Sequence, residues 1–136
     1  MTRSELEEYI FDTYGVRPDY PWDSTPSSEV FRHGDNKKWF ALIMDVPKSS
    51  LDIPGGGTLC TVNLKCGPIV GGSLCGQNGF FPAYHMNKEY WITAALDGSV
   101  PESDIKMLLD ISFCETAKRK AVKKPSINER RPDRFL

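Results

Sequence analysis

The sequence has little with which to build a metal centre. It holds two histidines, His33 and His85, and four cysteines, Cys60, Cys66, Cys75 and Cys114. No C-x-x-C or C-x-x-H pair occurs among them, so no structural zinc is expected. Long apolar runs are missing too. The longest, Trp39 to Met44, is six residues, where a membrane span needs roughly 18. The first turn carries Glu5, Glu7 and Glu8 instead of a basic stretch and then an apolar one, so no secretory signal is expected. Those absences predict a cytoplasmic protein with free thiols, each buried thiol acting as a small hydrophobe. The catalytic signatures are missing as well. Gly55-Gly56-Gly57-Thr58 lacks the lysine of a phosphate loop, Gly71 to Gly76 contains no G-x-S-x-G elbow, and no H-E-x-x-H occurs. No catalytic residue and no cofactor is expected.

What is present describes one ordinary domain. The chain has 136 residues, 40% hydrophobic and 26% charged, with a mean hydropathy of −0.39. This excludes a disordered or low-complexity chain and is enough to bury a core without staples. The formal net charge of −1 conceals an asymmetry. Residues 117–136 hold eight basic residues against Glu129 and Asp133, whereas residues 1–116 hold nine basic against sixteen acidic. A polyanion partner needs a positive surface. The tail has one by composition and the body as a whole does not.

Element signals are clear at both ends. Thr2 and Glu5 have capping-box spacing, Leu6, Tyr9, Ile10 and Tyr14 form one stripe, and Gly15 is placed to end the helix. This predicts a helix over 3–14. Residues 16–28, with Pro18, Pro21 and Pro26, read as a loop anchored by Tyr20 and Trp22. Residues 29–33 and 37–46 read as strands about a Gly34-Asp35-Asn36 turn, then 58–66 as a strictly alternating strand. A short helix from Pro68, strands at 80–84 and 89–96, and an amphipathic helix from Pro101 to about Lys120 complete the pattern. Tight hairpins flanked by helices predict an α+β two-layer sandwich, an antiparallel sheet with helices on one face. Residues 1–116 are expected to form a single domain, with 117–136 as the helix end and a basic tail, partly disordered. The domain is expected to be a monomer with no membrane partner.

Strand parity suggests where chemistry could sit. With Phe40, Leu42 and Met44 turned to the core, the face away from the helices would show Trp39, Ile43, Asn63, Lys65, Trp91 and Thr93, with Arg32 nearby. Indoles stack on planar rings and cations meet phosphate or carboxylate. The candidate nucleic-acid contacts are therefore Arg32, Lys37, Lys38, Trp39, Asn63, Lys65, His85, Asn87, Lys88 and Trp91. The alternative is a pocket lined by Trp22, Trp39, Tyr84, His85, Lys88 and Trp91 that takes a small anionic or aromatic compound, or a protein partner. A plainer reading needs no ligand: the tryptophans pack beneath the 16–28 loop as a second small core, and the lysines are surface residues.

Several segments carry a family resemblance. Tyr20-Pro21-Trp22, Val30-Phe31-Arg32-His33, Asn36 to Leu42, Asn63-Leu64-Lys65-Cys66 with Pro68, Pro82 to Lys88, and Leu96 to Pro101 together resemble the MmcQ/YjbR family of small bacterial proteins. The resemblance covers about residues 5–116, and its most specific part is Tyr84-His85-Met86-Asn87-Lys88 beside Trp91. It implies a CyaY-like α+β sandwich, described as a double-wing fold, and a DNA-binding role. Tyr90 departs from it, standing where many relatives carry histidine. The basic extension after Ala117 is not part of the pattern. Frataxin-like iron binding does not transfer, because it needs convergent oxygen ligands that Glu5, Glu7, Glu8 and Asp12 do not guarantee.

Overall fold

The computed structural model describes residues 1–118. Helix α1 spans Arg3–Tyr14. The Thr2 hydroxyl accepts from the Glu5 amide at 3.2 Å, and the Glu5 carboxylate accepts from the Thr2 amide at 2.8 Å. Gly15, at φ 70°, closes the helix through its amide to the Phe11 carbonyl. Strands β1 (Glu29–Arg32), β2 (Trp39–Pro47) and β3 (Thr58–Lys65) follow, then α2 (Gly67–Leu74), β4 (Phe80–Pro82), β5 (Trp91–Ala95) and α3 (Glu102–Thr116). The five strands form one antiparallel sheet in the order β1-β2-β3-β5-β4. α1 and α3 cover one face. Leu6 and Ile10 of α1 and Ile105, Leu108 and Leu109 of α3 are sealed against Phe31, Ala41, Ile43, Val62, Leu64, Ile92 and Ala94. Each such side chain contributes about 1.5–3 kcal/mol by leaving water.

One irregularity decides what the other face carries. Phe31 pairs with Ala41, but Arg32 pairs with Trp39, so Phe40 is an extra residue in β2. A bulge of this kind reverses side-chain parity along the strand. Phe40 and Ala41 both join the helix-side core, while Trp39 emerges on the second face beside Leu42 and Met44. The expected parity of β2 is therefore corrected. Ile43 lies opposite Val62 and is fully buried beneath the helices, and Leu42 and Met44 take the face assigned to it. Trp39 reaches the expected face by way of the bulge.

α3 supplies the missing ladder bonds at that point. The Ser112 hydroxyl donates to the Phe40 carbonyl at 2.6 Å and accepts from the Lys65 amide at 2.9 Å. α3 ends at Thr116, with Ala117 already extended, so it stops short of the expected Lys120. Thr116 is where His33 ends up as well: its Nε2 lies 2.8 Å from the Thr116 hydroxyl, between the Phe40 and Phe113 rings. The expected basic tail from Arg119 onward lies outside the described residues. β4 and β5 are shorter than expected, and 83–90 forms consecutive turns instead of strand ends.

The loop over residues 16–28 is fastened to β1. Asp19 and Val30 exchange backbone hydrogen bonds of 2.8 and 2.9 Å. Glu29, buried at 1% exposure, accepts from Arg3 Nε at 2.8 Å and from the Tyr20 hydroxyl at 2.9 Å. Arg3 also donates to the Ser27 carbonyl. The Glu7 carboxyl shares this cluster. Its hydrogen bond to Glu29, together with burial and the repulsion between the two groups, outweighs Arg3 and pushes its pKa up to about 7.

Two predictions follow from this framework. Gly79 sits at φ 85°, and a Cβ there would lie 2.5 Å from Val100 Cγ2 and 2.6 Å from Ser99 Oγ. Gly79→Ala should cost roughly 1–3 kcal/mol in urea unfolding. Gly34→Ala, at an unstrained position with open space around it, should stay within about 0.5 kcal/mol. Glu7 supplies the second. Between its ordinary value of 4.5 and about 7 the folded chain holds a proton that the unfolded chain has released. Its contribution is therefore complete at acid pH and is lost as pH rises through that window. Solvent screening limits the effect to about 1 kcal/mol. Thermal unfolding of Glu7→Gln, compared with the parent at pH 5 and 7.5, should show a smaller loss across the window; equal losses would refute the assignment.

Candidate ligand site on the second sheet face

The second face is partly roofed. Asn63 of β3 and Thr93 of β5 are register partners, and both are fully buried. The Thr93 hydroxyl donates to Asn63 Oδ1 at 2.5 Å and accepts from the Tyr84 amide at 2.9 Å. Asn63 Nδ2 donates to the Tyr84 carbonyl at 2.9 Å. Two hydrogen bonds thus pin Tyr84 above the sheet, and a third couples the two side chains that make them. Polar side chains buried this fully are retained when every partner is satisfied. Lys88 ties down the same segment, donating from Nζ to the Ala83 carbonyl at 2.8 Å. The Asn87 side chain accepts from the Glu89 amide, and its carbonyl accepts from the Trp91 amide at 3.0 Å.

Between this roof and the 16–28 loop lies a groove of about 620 Å³. Leu42 and Met44 line it from β2, Trp22 and Thr25 from the loop, Trp39 from one end, and Tyr84, His85 and Met86 from the roof. Trp22 and Trp39 meet edge to face, with ring centroids 5.7 Å apart at 85°. Tyr84 and His85 stack at 3.9 Å and 13°. His85 holds a left-handed backbone at φ 59°, a conformation that costs about 1–2 kcal/mol for a residue other than glycine. No lysine or arginine lines this groove. Asp45 also lines it, and the rings and aliphatic side chains of the other walls suit a planar apolar ring.

The cations gather at the Trp39 end. Lys38, Trp39, Lys65, Trp91 and Thr116 enclose a second, smaller recess of about 280 Å³. Trp39 is common to both cavities. Lys65 is the register partner of Trp91, so an ammonium and an indole stand side by side on one face.

The structure sorts the expected contact residues accordingly. Trp22, Trp39, Tyr84 and His85 converge on the large groove. Lys38, Lys65 and Trp91 meet Trp39 in the recess. Trp91 and Lys88 also share a third hollow, beside Gly71 and Gly72 of α2, so the expected six-residue pocket divides. Asn63 is sealed from solvent and positions Tyr84. Asn87 and Lys88 hold turns. Arg32 is ion-paired to Asp19 at 2.6 Å, while Lys37 is exposed on the hairpin. Leu42 and Met44 were missed because the bulge inverts their face. Among the described residues no cluster of three metal-ligating side chains occurs, and no helix is long and apolar enough to cross a membrane.

Comparison with known proteins gives this arrangement a lineage. The YjbR family model matches residues 4–115. The chain is 39% identical over 113 residues to the uncharacterized protein YyaQ of Bacillus subtilis, covering 83% of this chain and 96% of that one. It is 42% identical over 122 residues to the uncharacterized protein YjbR of Escherichia coli, covering 83% of this chain and 85% of that one. A crystal structure of a Pseudomonas syringae protein superposes with a TM-score of 0.84 at 42% identity, over 86% of this chain and all of that one. A Deinococcus radiodurans protein, DR2400, gives 0.66 at 26% identity, over 90% of this chain and 83% of that one. With its α+β sandwich and a family match running from α1 to the end of α3, this chain belongs to the YjbR family.

Proposed function

We propose that the protein is a non-enzymatic binding module of the cytoplasm whose ligand joins a planar ring to an anionic group. The ring enters the groove between Trp22, Trp39 and Tyr84, and the anion meets Lys38 and Lys65. A nucleotide unit has this chemistry, whether free or in a nucleic-acid strand. The observation that carries the reading is the position of Trp39, which lines the apolar groove and the lysine-bearing recess at once. In a polymer the ring must be unpaired to reach an indole, so single-stranded DNA fits better than duplex. The body's acidic balance argues the same way: eight carboxylates lie in α1 and α3 against Arg3 and Lys106. At the groove itself Lys38 and Lys65 supply two cations, too few for the broad contact a duplex makes.

Tryptophan fluorescence reports binding directly. A single-stranded oligonucleotide and a nucleoside monophosphate should both quench the emission, and duplex of the same sequence should do so more weakly. Stacking contributes about 1–3 kcal/mol per base, so Trp39→Ala should weaken the strand roughly tenfold or more. Lys38→Gln with Lys65→Gln should flatten the salt dependence by about one to two units of log–log slope. Absence of quenching by strand and mononucleotide alike at ~50 mM salt would refute the proposal.

A separate variant tests the roof. Asn63→Leu leaves the Tyr84 carbonyl and the Thr93 hydroxyl without their partner, a loss of about 1–3 kcal/mol in folding stability. Ligand affinity should fall with it. A variant that binds as the parent does would show that Tyr84 needs no such support.

A further inference from the structure

A different cluster of cations lies on the other side of the first hairpin. Arg17, Arg32 and Lys37 line a hollow of about 430 Å³ with Asp19, His33 and Gly34. Three cations share it with one carboxylate, in a body where acidic residues outnumber basic ones. We infer that this hollow is an oxyanion site, taking a phosphate group between Arg17, Arg32 and Lys37.

Each cation is held ready. The Arg17 guanidinium rests over the Phe11 ring, 4.0 Å from its centroid, which aims it without neutralising it. Arg32 gives its Nε to Asp19 at 2.6 Å; its other guanidinium N–H groups have no protein acceptor among the described residues. Lys37 sits at φ 63°, a left-handed position that glycine or asparagine fills with less strain.

The hairpin under them is rigid. The Lys37 amide donates to the His33 carbonyl at 3.1 Å, and the His33 amide donates to the Lys38 carbonyl at 3.0 Å. Asn36 Nδ2 donates to the Thr116 carbonyl at 3.0 Å, and Asn36 Oδ1 accepts from the Lys38 amide at 2.8 Å. Convergent cations on a fixed frame bind an oxyanion with little ordering cost. Lys37 and Lys38, adjacent in the chain, thus serve two different cavities. The site is separate from the groove and stands or falls without it.

The test uses the full chain, with inorganic pyrophosphate as the probe in calorimetric titration. The parent should bind it, and Arg17→Gln combined with Lys37→Gln should weaken binding about tenfold or more. Lys106→Gln should leave it unchanged. No heat in the parent, or equal affinity in the double variant, would overturn the site. Loss confined to Lys38→Gln with Lys65→Gln would place the anion at that recess and overturn it equally. A single-stranded oligonucleotide then separates the sources of phosphate. If the double variant weakens both probes, the site takes the backbone of a strand. If it weakens pyrophosphate alone, the site takes a small phosphorylated compound.

Discussion

The hydroxyl of Ser112 stands at the point on which the second sheet face depends. Where Phe40 interrupts β2, its buried carbonyl and the part-buried Lys65 amide lose each other as ladder partners. An unmet buried group of this kind costs about 1–3 kcal/mol. Ser112 meets both at 2.6 and 2.9 Å and in doing so locks α3 across β2 and β3. The bulge is thereby stable, and the bulge sends Trp39 outward while Phe40 and Ala41 stay in the core. Without it, the indole would point beneath α3 and the groove would lose its end wall.

Electrostatics follows from the same layering. The helices that cover the core are acidic, and Glu29 inside the fold consumes Arg3. Lys88 also serves an internal partner, the Ala83 carbonyl, and Arg32 shares one N–H with Asp19 at the surface. Among the described residues, Arg17, Lys37, Lys38 and Lys65 line hollows about the first hairpin and the strand ends beside it. A body with more acidic than basic residues can therefore still offer local positive ground. The composition of residues 1–116 describes the total and is silent on this separation.

Much of the architecture was legible because its signals are local. The Thr2–Glu5 box and Gly15 fix α1 within one turn at each end, and the alternation of β3 reads true from Thr58 to Lys65. β2 misled because it is apolar on both faces: with Phe40, Ala41, Leu42 and Ile43 in succession, parity has nothing to distinguish inward from outward. A bulge in such a strand leaves no compositional trace. Asn63 misled for another reason. An amide on a face counted as exposed looks like a ligand contact until the loop that covers it is seen. Lys88 is five residues from the carbonyl it binds, and only the turns of 83–90 bring them together. The family-specific run from Tyr84 to Lys88 was recognisable, yet its residues divide the work: Tyr84, His85 and Met86 line the groove, and Asn87 and Lys88 hold the turn.

Packing alone explains part of the second face. Trp22 and Trp39, edge to face at 5.7 Å, contribute about 0.5–1.5 kcal/mol beyond the area they bury, and Tyr20 is pinned to Glu29 without joining them. A second small core would place these rings against each other and against Leu42 and Met44, and leave no gap. Protein interiors close to the density of organic crystals, and a void costs the contacts its walls lose. Here a groove of about 620 Å³ opens to solvent between the rings, and the Tyr84 backbone at its roof is hydrogen-bonded to Asn63 and Thr93. The polar network of Asn63 and Thr93 thus ties the roof to the sheet at Tyr84. A fixed roof over an open, ring-walled groove is the feature on which the proposed ligand reading rests.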